Sequence, residues 1–488
     1  MKTIYIDCSY LADHTELNTG IQRVVRRVVE NFRELAQGEE LRVQPVRIGD
    51  GRFESLGIAQ LYPAPIAPGG AAAPRHARYL RLAHYGKRVY LTGRDFLSAL
   101  CADHPAVRRF LYASRQHFGL SYLIDRLALR PLRRLLGYRS AAVGRETSLL
   151  DEVGRDDILL LLDSTWYYNI WPSVGAFRQR GGRVVAVIYD LIPITHAQFC
   201  DDGLVAHFKK WFFDSLEFID GYIGISHTVE KDLYAFMREA FGERVESKAF
   251  DHFLLGADFK YQQLQDSAVR KDVIDMLGER PAYLIVSTVE PRKNHRYLLD
   301  AFDLLWSQGL EVSLVIVGRT GWKVEALMRR ILDHPEYGRR LRYCHDLNDQ
   351  ELTYCYRHSR MLVFPSIVEG FGLPIVESLA NGLPVLVSDT PIHREIGAER
   401  IGYFDLARPQ DLAEQVAAIE TQGMPESLMV PEGYRWLSWR ESSQTLLERV
   451  LCMADDDNPH PSRGSLPELK MHCDSMRAFA ATERNTNP

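Results

Sequence analysis

Met361–Glu395 reads MLVFPSIVEGFGLPIVESLANGLPVLVSDTPIHRE. The apolar run Met361–Pro365 has the length and composition of a buried parallel strand. A Gly-rich turn carrying Glu369 follows. Pro374 then suits the first turn of a helix that runs to about Asn381 and stops at Gly382. A second apolar run, Leu383–Ser388, ends at Asp389. The unit is strand, glycine loop, helix, strand. Glu369 falls in the loop and Glu377 on the opening turns of the helix. Two acids beside a helix N-terminus with unpaired N–H groups point to a ligand both phosphorylated and hydroxylated.

The spacing E-x7-E inside EGFGLP…E…GLPV resembles the signature of retaining glycosyltransferases of the GT-B type, in the large family numbered four. The resemblance implies an α/β GT-B fold, with two Rossmann-like domains facing across a cleft. It implies that Glu377 accepts bonds from ribose hydroxyls and Glu369 from hydroxyls of the transferred sugar. The N–H groups of Phe371, Gly372 and Leu373 are expected to meet the same sugar or its phosphate.

The 488 residues exceed one core, so two domains are expected. A net charge of −5 gives no global pull towards nucleic acid. The seven cysteines form no C-x-x-C pair and read as scattered buried thiols of a reducing compartment. MKTIYIDCSYLAD reads as a first core strand ending at Asp7 and not as a signal peptide, and no apolar run approaches the roughly 20 residues that span a bilayer. A cytoplasmic protein is expected, with peripheral membrane contact left open.

The N-terminal domain is assigned to 1–260. After the first strand, NTGIQRVVR opens a long amphipathic helix, with Gly20 at the junction where backbone N–H groups can approach an anion. The family places a Gly-rich loop here, near the donor phosphates, usually with paired glycines; bacterial polysaccharide-assembly members look similar at this stretch. Pro63–Pro74 is a Pro/Ala/Gly surface excursion. A basic helical insertion at about 75–145 follows, with six arginines and no acid between Arg126 and Arg145. Its Arg130, Arg133 and Arg134 are read as a solvated face beside the cleft, a membrane-surface patch for a polyprenyl-linked acceptor, or a partner site. Nucleic acid is disfavoured, because no aromatic-interleaved stripe accompanies the charge.

Asp157–Asp163 and Arg183–Tyr189 read as parallel strands whose following loops face a ligand crevice. The second loop, Asp190-Leu191-Ile192-Pro193-Ile194-Thr195-His196, resembles the family's acceptor-side loop. Asp190 and His196 are therefore the acceptor-side candidates. Ser226 or Thr228 is expected to cap the next helix.

The C-terminal domain is assigned to 275–430. Ala282–Val289 precedes Glu290-Pro291-Arg292-Lys293-Asn294. By resemblance Lys293 holds the donor diphosphate. Thr288 stands where the family commonly has an arginine, and Arg292 replaces that charge. Gly318, in the turn after Val312–Val317, corresponds to a family turn near the base or ribose. His345–Leu347 is expected to line the base pocket. Tyr434–Leu451 resembles the family's closing helix, which packs back on the N-domain. From about 454 to 488 the chain reads as a disordered tail.

These residues imply hexosyl transfer from a nucleotide-sugar to a saccharide acceptor, either free or lipid-linked, in surface-polysaccharide assembly. GDP-mannose is the first choice of donor, with UDP- or dTDP-sugars as alternatives. Arg292 and Lys293 offset charge on the leaving diphosphate, so no metal or other cofactor is expected. Two carboxylates also serve glycoside hydrolases. An epimerase, a phosphorylase and a non-catalytic scaffold share the fold, but the combination of Glu369, Glu377, Arg292 and Lys293 favours transfer.

Overall fold

A computed structural model describes residues 2–17, 19–37, 40–49, 51–63, 149–257 and 269–454. The insertion at about 75–145, with Arg130, Arg133 and Arg134, and the tail beyond residue 454 lie outside the described residues.

Apolar runs become two sheets. The first contains β1 (Lys2–Asp7), β2 (Leu41–Gly49), β3 (Arg52–Ser55), β4 (Ile158–Leu161), β5 (Arg183–Ile188), β6 (Gly221–Gly224) and β7 (Ala249–His252), in the order β3-β2-β1-β4-β5-β6-β7. Every pairing is parallel except β2 with β3, which is antiparallel. The second contains β8 (Ala282–Val286), β9 (Ser313–Val317), β10 (Leu341–Cys344), β11 (Met361–Phe364), β12 (Val385–Ser388) and β13 (Gly402–Phe404). Its order is β10-β9-β8-β11-β12-β13 and it is wholly parallel. Parallel strands need both faces covered, which explains why ILLL, MLVF and VLVS are buried at every position. Each sheet reverses direction of growth once, between β1 and β4 and between β8 and β11. In such sheets ligands bind outside the carboxyl ends at those two points.

Both sheets belong to one compact unit. They face each other across a cleft and touch at its floor. A Cβ on Gly370 would sit 2.0 Å from the Tyr189 carbonyl oxygen, so only glycine lets the EGFG loop lie on the end of β5. Ser226 Oγ donates to the Gly370 carbonyl at 3.0 Å. Glu395 caps the His227–Phe241 helix from the opposite sheet, accepting from the amides of His227 and Thr228, both at 2.8 Å.

The Trp439–Met453 helix returns to the first sheet. Ser442 Oγ donates to the Leu254 carbonyl at 2.7 Å, and Gly256 packs so closely on Trp439 that a Cβ would lie 2.6 Å from its backbone. Ahead of that helix, Trp436 donates its indole N–H to the Leu255 carbonyl at 2.8 Å and meets the Phe371 ring edge-on. The EGFG loop is thus held from below by the same segment that ties the two sheets together.

Candidate active site

β8 ends in a single 3₁₀ turn, Pro291–Lys293, closed by Asn294 in the left-handed region at φ 56°. This turn drops Arg292 and Lys293 into the crevice between β8 and β11. The loop after β11 enters the same crevice and is pinned there by the Ile367 amide, which donates to the Arg292 carbonyl at 2.8 Å. Glu369 then lies between the two cations. Arg292 donates to one carboxylate oxygen at 2.7 Å, and Lys293 donates to the other. Arg292 also reaches Glu290 at 3.1 Å. The three side chains of the central triad are 20 %, 10 % and 7 % exposed for Arg292, Lys293 and Glu369.

Electrostatics follow from that packing. Burial would raise the Glu369 pKa, but Arg292 and Lys293 outweigh it and hold the carboxyl well below its usual range. Burial pulls the Lys293 ammonium down, with Arg292 pushing the same way and Glu369 opposing. Burial acts downwards on Arg292 too, yet Glu369 and Glu290 leave it raised. Two buried cations are thus matched by two acids, and cations in a dry site interact strongly with phosphate.

Asp190 stands at the end of β5 opposite this cluster. Its Oδ1 accepts from the Ile192 amide at 2.9 Å. Burial raises its pKa, while Arg292 works against the rise. His196 ends the short Ile192–Thr195 helix, where its Nδ1 lies 2.9 Å from Thr195 Oγ1 and its ring stacks on Phe199. Asp190, His196 and Glu369 line one cavity of about 290 Å³, walled also by Ile192, Asp232 and Phe236. That is close to the lower end of small-molecule sites, about 300 Å³. Three of the five sequence candidates for chemistry therefore share a pocket, and Arg292 and Lys293 lie directly behind Glu369.

The donor-side candidates separate. Gly372 is left-handed at φ 101° and starts the Leu373–Ala380 helix, with Pro374 in its first turn. The first-turn N–H groups of a helix have no intrahelical acceptor. Phe371 is buried under the loop. Glu377 is sealed in that helix: Arg23 Nη2 donates to Oε1 at 2.6 Å and the Tyr356 hydroxyl donates to Oε2 at 2.8 Å. Gly20 begins the Gly20–Leu35 helix, and a Cβ there would meet nothing within 4 Å. Gly318 has a different demand. At φ 151° its Cβ would fall 1.9 Å from the Ser287 carbonyl oxygen, so the glycine lets the turn after β9 lie against the end of β8.

Sequence reading missed Arg23, Tyr356 and Glu395 as site or cleft residues. Arg23 was within reach, since it follows Gly20 by three positions in NTGIQRVVR and so lies on the first helical turn. Tyr356 and Glu395 act through tertiary contacts that no local pattern marks. The same holds for a group with metal-ligand chemistry. His227, Glu230 and His252 bring their ligand atoms within 4.8 Å of one another. Both imidazoles bond to the Glu230 carboxylate, at 3.2 and 2.9 Å, and this group lies outside the cavity that holds Glu369.

Two Rossmann-like sheets, a cleft between them and a cation–acid cluster at the second sheet's switch point define a protein of the GT-B class. Residues 271–435 match the family described as "Glycosyl transferases group 1". It is 30 % identical over 312 residues to a serotype-specific mannosyltransferase WbdA of Escherichia coli, covering 62 % of this chain and 38 % of that protein. It is 39 % identical over 162 residues to an O-antigen chain mannosyltransferase B of Escherichia coli, covering 32 % of this chain and 38 % of that one. The chain thus spans under two fifths of the length of these relatives. Among solved structures, Anabaena HepE in complex with UDP and glucose is similar over 98 % of this chain and 100 % of that one, at 12 % identity and a TM-score of 0.49.

Proposed function

We propose that this protein is a retaining hexosyltransferase that moves a sugar from a nucleotide-diphosphate donor to a hydroxyl of a saccharide acceptor in bacterial surface-polysaccharide assembly. The observation that carries this reading is the Arg292–Lys293–Glu369 cluster at the β8/β11 switch point, facing a cavity shared with Asp190 and His196.

In this reading the diphosphate displaces Glu369 from part of its cation shell. Glu369 then turns to hydroxyls of the donor sugar, while Arg292 and Lys293 stabilise charge on the departing diphosphate. The acceptor occupies the cavity beside Asp190 and His196. Its hydroxyl attacks the face that the diphosphate leaves, and a diphosphate oxygen takes the proton. The configuration at the anomeric carbon is retained without a protein nucleophile. The charge stabilisation that a metal would supply comes from the two side-chain cations.

Mannose from GDP-mannose is the donor we propose, supported by the relatives named as mannosyltransferases. A thermal-shift panel of GDP, UDP, ADP and dTDP with their sugars tests it. A ligand that binds the folded state raises the melting temperature with its concentration relative to Kd. GDP and GDP-mannose are expected to give the largest rise. A shift with UDP compounds alone removes the mannosyl reading and keeps the transferase, whereas no shift with any nucleotide removes both.

A further inference from the structure

His227 and Glu230 stand three residues apart on the opening turn of the His227–Phe241 helix, a spacing that puts both side chains on one face. His252 joins them from the end of β7, where it is in register with Gly224 at the end of β6, shortly before that helix begins. Helix and strand together bring the three ligand atoms within 4.8 Å of one another. Both imidazoles reach the same oxygen: Nδ1 of His227 lies 3.2 Å and Nδ1 of His252 2.9 Å from Glu230 Oε2.

The company of Glu230 is unusual for an acid so well covered. Its side chain is 7 % exposed, and buried carboxylates are ordinarily paired with a side-chain cation or bound to a metal. Among the described residues no arginine or lysine pairs with it; the two histidines take that place. A further acid stands close by, since Asp251 Oδ1 lies 3.8 Å from His252 Nδ1 while Arg449 holds Oδ2 at 3.2 Å. Two nitrogens and a carboxylate oxygen suit zinc and its neighbours in the first transition row, whereas magnesium and calcium take oxygen ligands. A tetrahedral ion with bonds of about 2.0–2.1 Å holds its ligand atoms about 3.3 Å apart, close to both contacts of Glu230 Oε2. A turn of the His227 ring, which is 55 % exposed, closes the remaining side of the triangle.

We propose that His227, Glu230 and His252 form a binding site for a divalent transition-metal ion of the zinc class, with water completing the shell on the exposed side of His227. Each imidazole keeps its proton on Nε2 and offers Nδ1 to the ion. The ion fastens the helix start to β7, at the place where Glu395 of the second sheet accepts from the His227 amide. The site lies away from the cavity lined by Asp190, His196 and Glu369, so it bears on the stability of the fold and takes no part in sugar transfer. It stands or falls apart from the transferase reading.

The full chain, stripped with a chelator and exchanged into metal-free buffer, is titrated calorimetrically with zinc ion alone, and with magnesium ion as the control. The wild type is expected to take up one equivalent of zinc and to melt at a higher temperature with it than after stripping. His227→Gln and His252→Gln should each weaken zinc by about tenfold or more, because each removes one of three protein ligands. These two side chains are 55 % and 34 % exposed, so both variants should keep the metal-free melting temperature of the wild type and lose the rise on adding zinc. Zinc held by the double variant His227→Gln/His252→Gln as tightly as by the wild type would overturn the proposal and place the metal on other side chains. A wild type that binds no zinc overturns it too. Magnesium bound as tightly as zinc has the same consequence, since it removes the imidazoles from the shell.

Discussion

The crevice between β8 and β11 and the crevice between β1 and β4 are the same topological feature built twice, with opposite electrostatic results. At the first, Glu369 lies between Arg292 and Lys293 and is held ionised. At the second, Asp7 ends β1 and Asp163 follows β4, both almost fully buried. Backbone amides satisfy Asp163, from Leu11 at 2.6 Å and Ser164 at 2.7 Å, and Ser9 Oγ donates to Asp7 Oδ1 at 2.5 Å. Among the described residues, Asp7 Oδ2 has no hydrogen-bond partner. Burial raises Asp163 to about 6 and pushes Asp7 well up, with Asp163 adding to the rise. The first switch point thus carries cations matched by acids, and the second carries acids held by backbone amides and a hydroxyl.

The strongest way to break this contrast is Glu369→Gln. It removes the acid between two buried cations, so we expect turnover of the donor to fall by about 10²- to 10³-fold. Stability in urea should drop by about 3 kcal/mol, because one member of a buried ion cluster is lost. The pH sign is fixed by the depressed carboxyl. Its stabilising contribution is present above the ordinary glutamate range and is lost as pH falls below it, and the variant should lack that decline.

Asp163→Asn probes the other crevice and should behave in the opposite sense. The folded protein holds this proton more tightly than the unfolded chain, so wild-type stability falls as pH rises from 3.8 to about 6. The asparagine variant should show a flatter profile through that window, at a lower overall stability, because its amide nitrogen faces one of the two N–H groups that the Asp163 oxygens accept from. A variant that still loses stability as steeply as the wild type while pH rises through the window would erase the distinction between the crevices.

The smallest effect is expected where the walls of the cleft meet. Glu395→Gln keeps the shape of the cap on the His227–Phe241 helix but removes its charge, and the bonds to His227 and Thr228 weaken. A loss of about 1 kcal/mol in urea unfolding is expected. An unchanged midpoint would show that Gly370 and the Trp439–Met453 helix hold the walls together without it.

Much of the fold was legible because buried parallel strands leave a strong local trace. Met361–Phe364, Arg183–Ile188 and Ser313–Val317 fall within one or two residues of the apolar runs that announced them. Arg52–Ser55 and Ala249–His252 went unread. Both are four-residue strands at sheet edges, with mixed burial that gives no continuous apolar run. Among candidate residues, Glu369, expected in the glycine loop, and Arg292 and Lys293, expected at a strand end, do meet. Gly318 is expected near the nucleotide, and its place in the fold is set by the Ser287 carbonyl, which leaves no room for a Cβ.

By itself, the sequence determined most of the parallel strands, the loops that end them and the identity of the acids and cations carried there. Those follow from hydrophobic periodicity and from Gly and Pro at fixed places, which act over a few residues. Only the tertiary structure decided which acids are paired and which are merely buried. Glu369 and Asp163 look alike as strand-end acids, and Glu377 looks unpartnered on its helix. Their hydrogen-bond partners are Lys293, the Leu11 amide and Arg23, the last 354 residues away along the chain. Desolvation and Coulomb interaction act through space, and no pattern of neighbours in sequence encodes them.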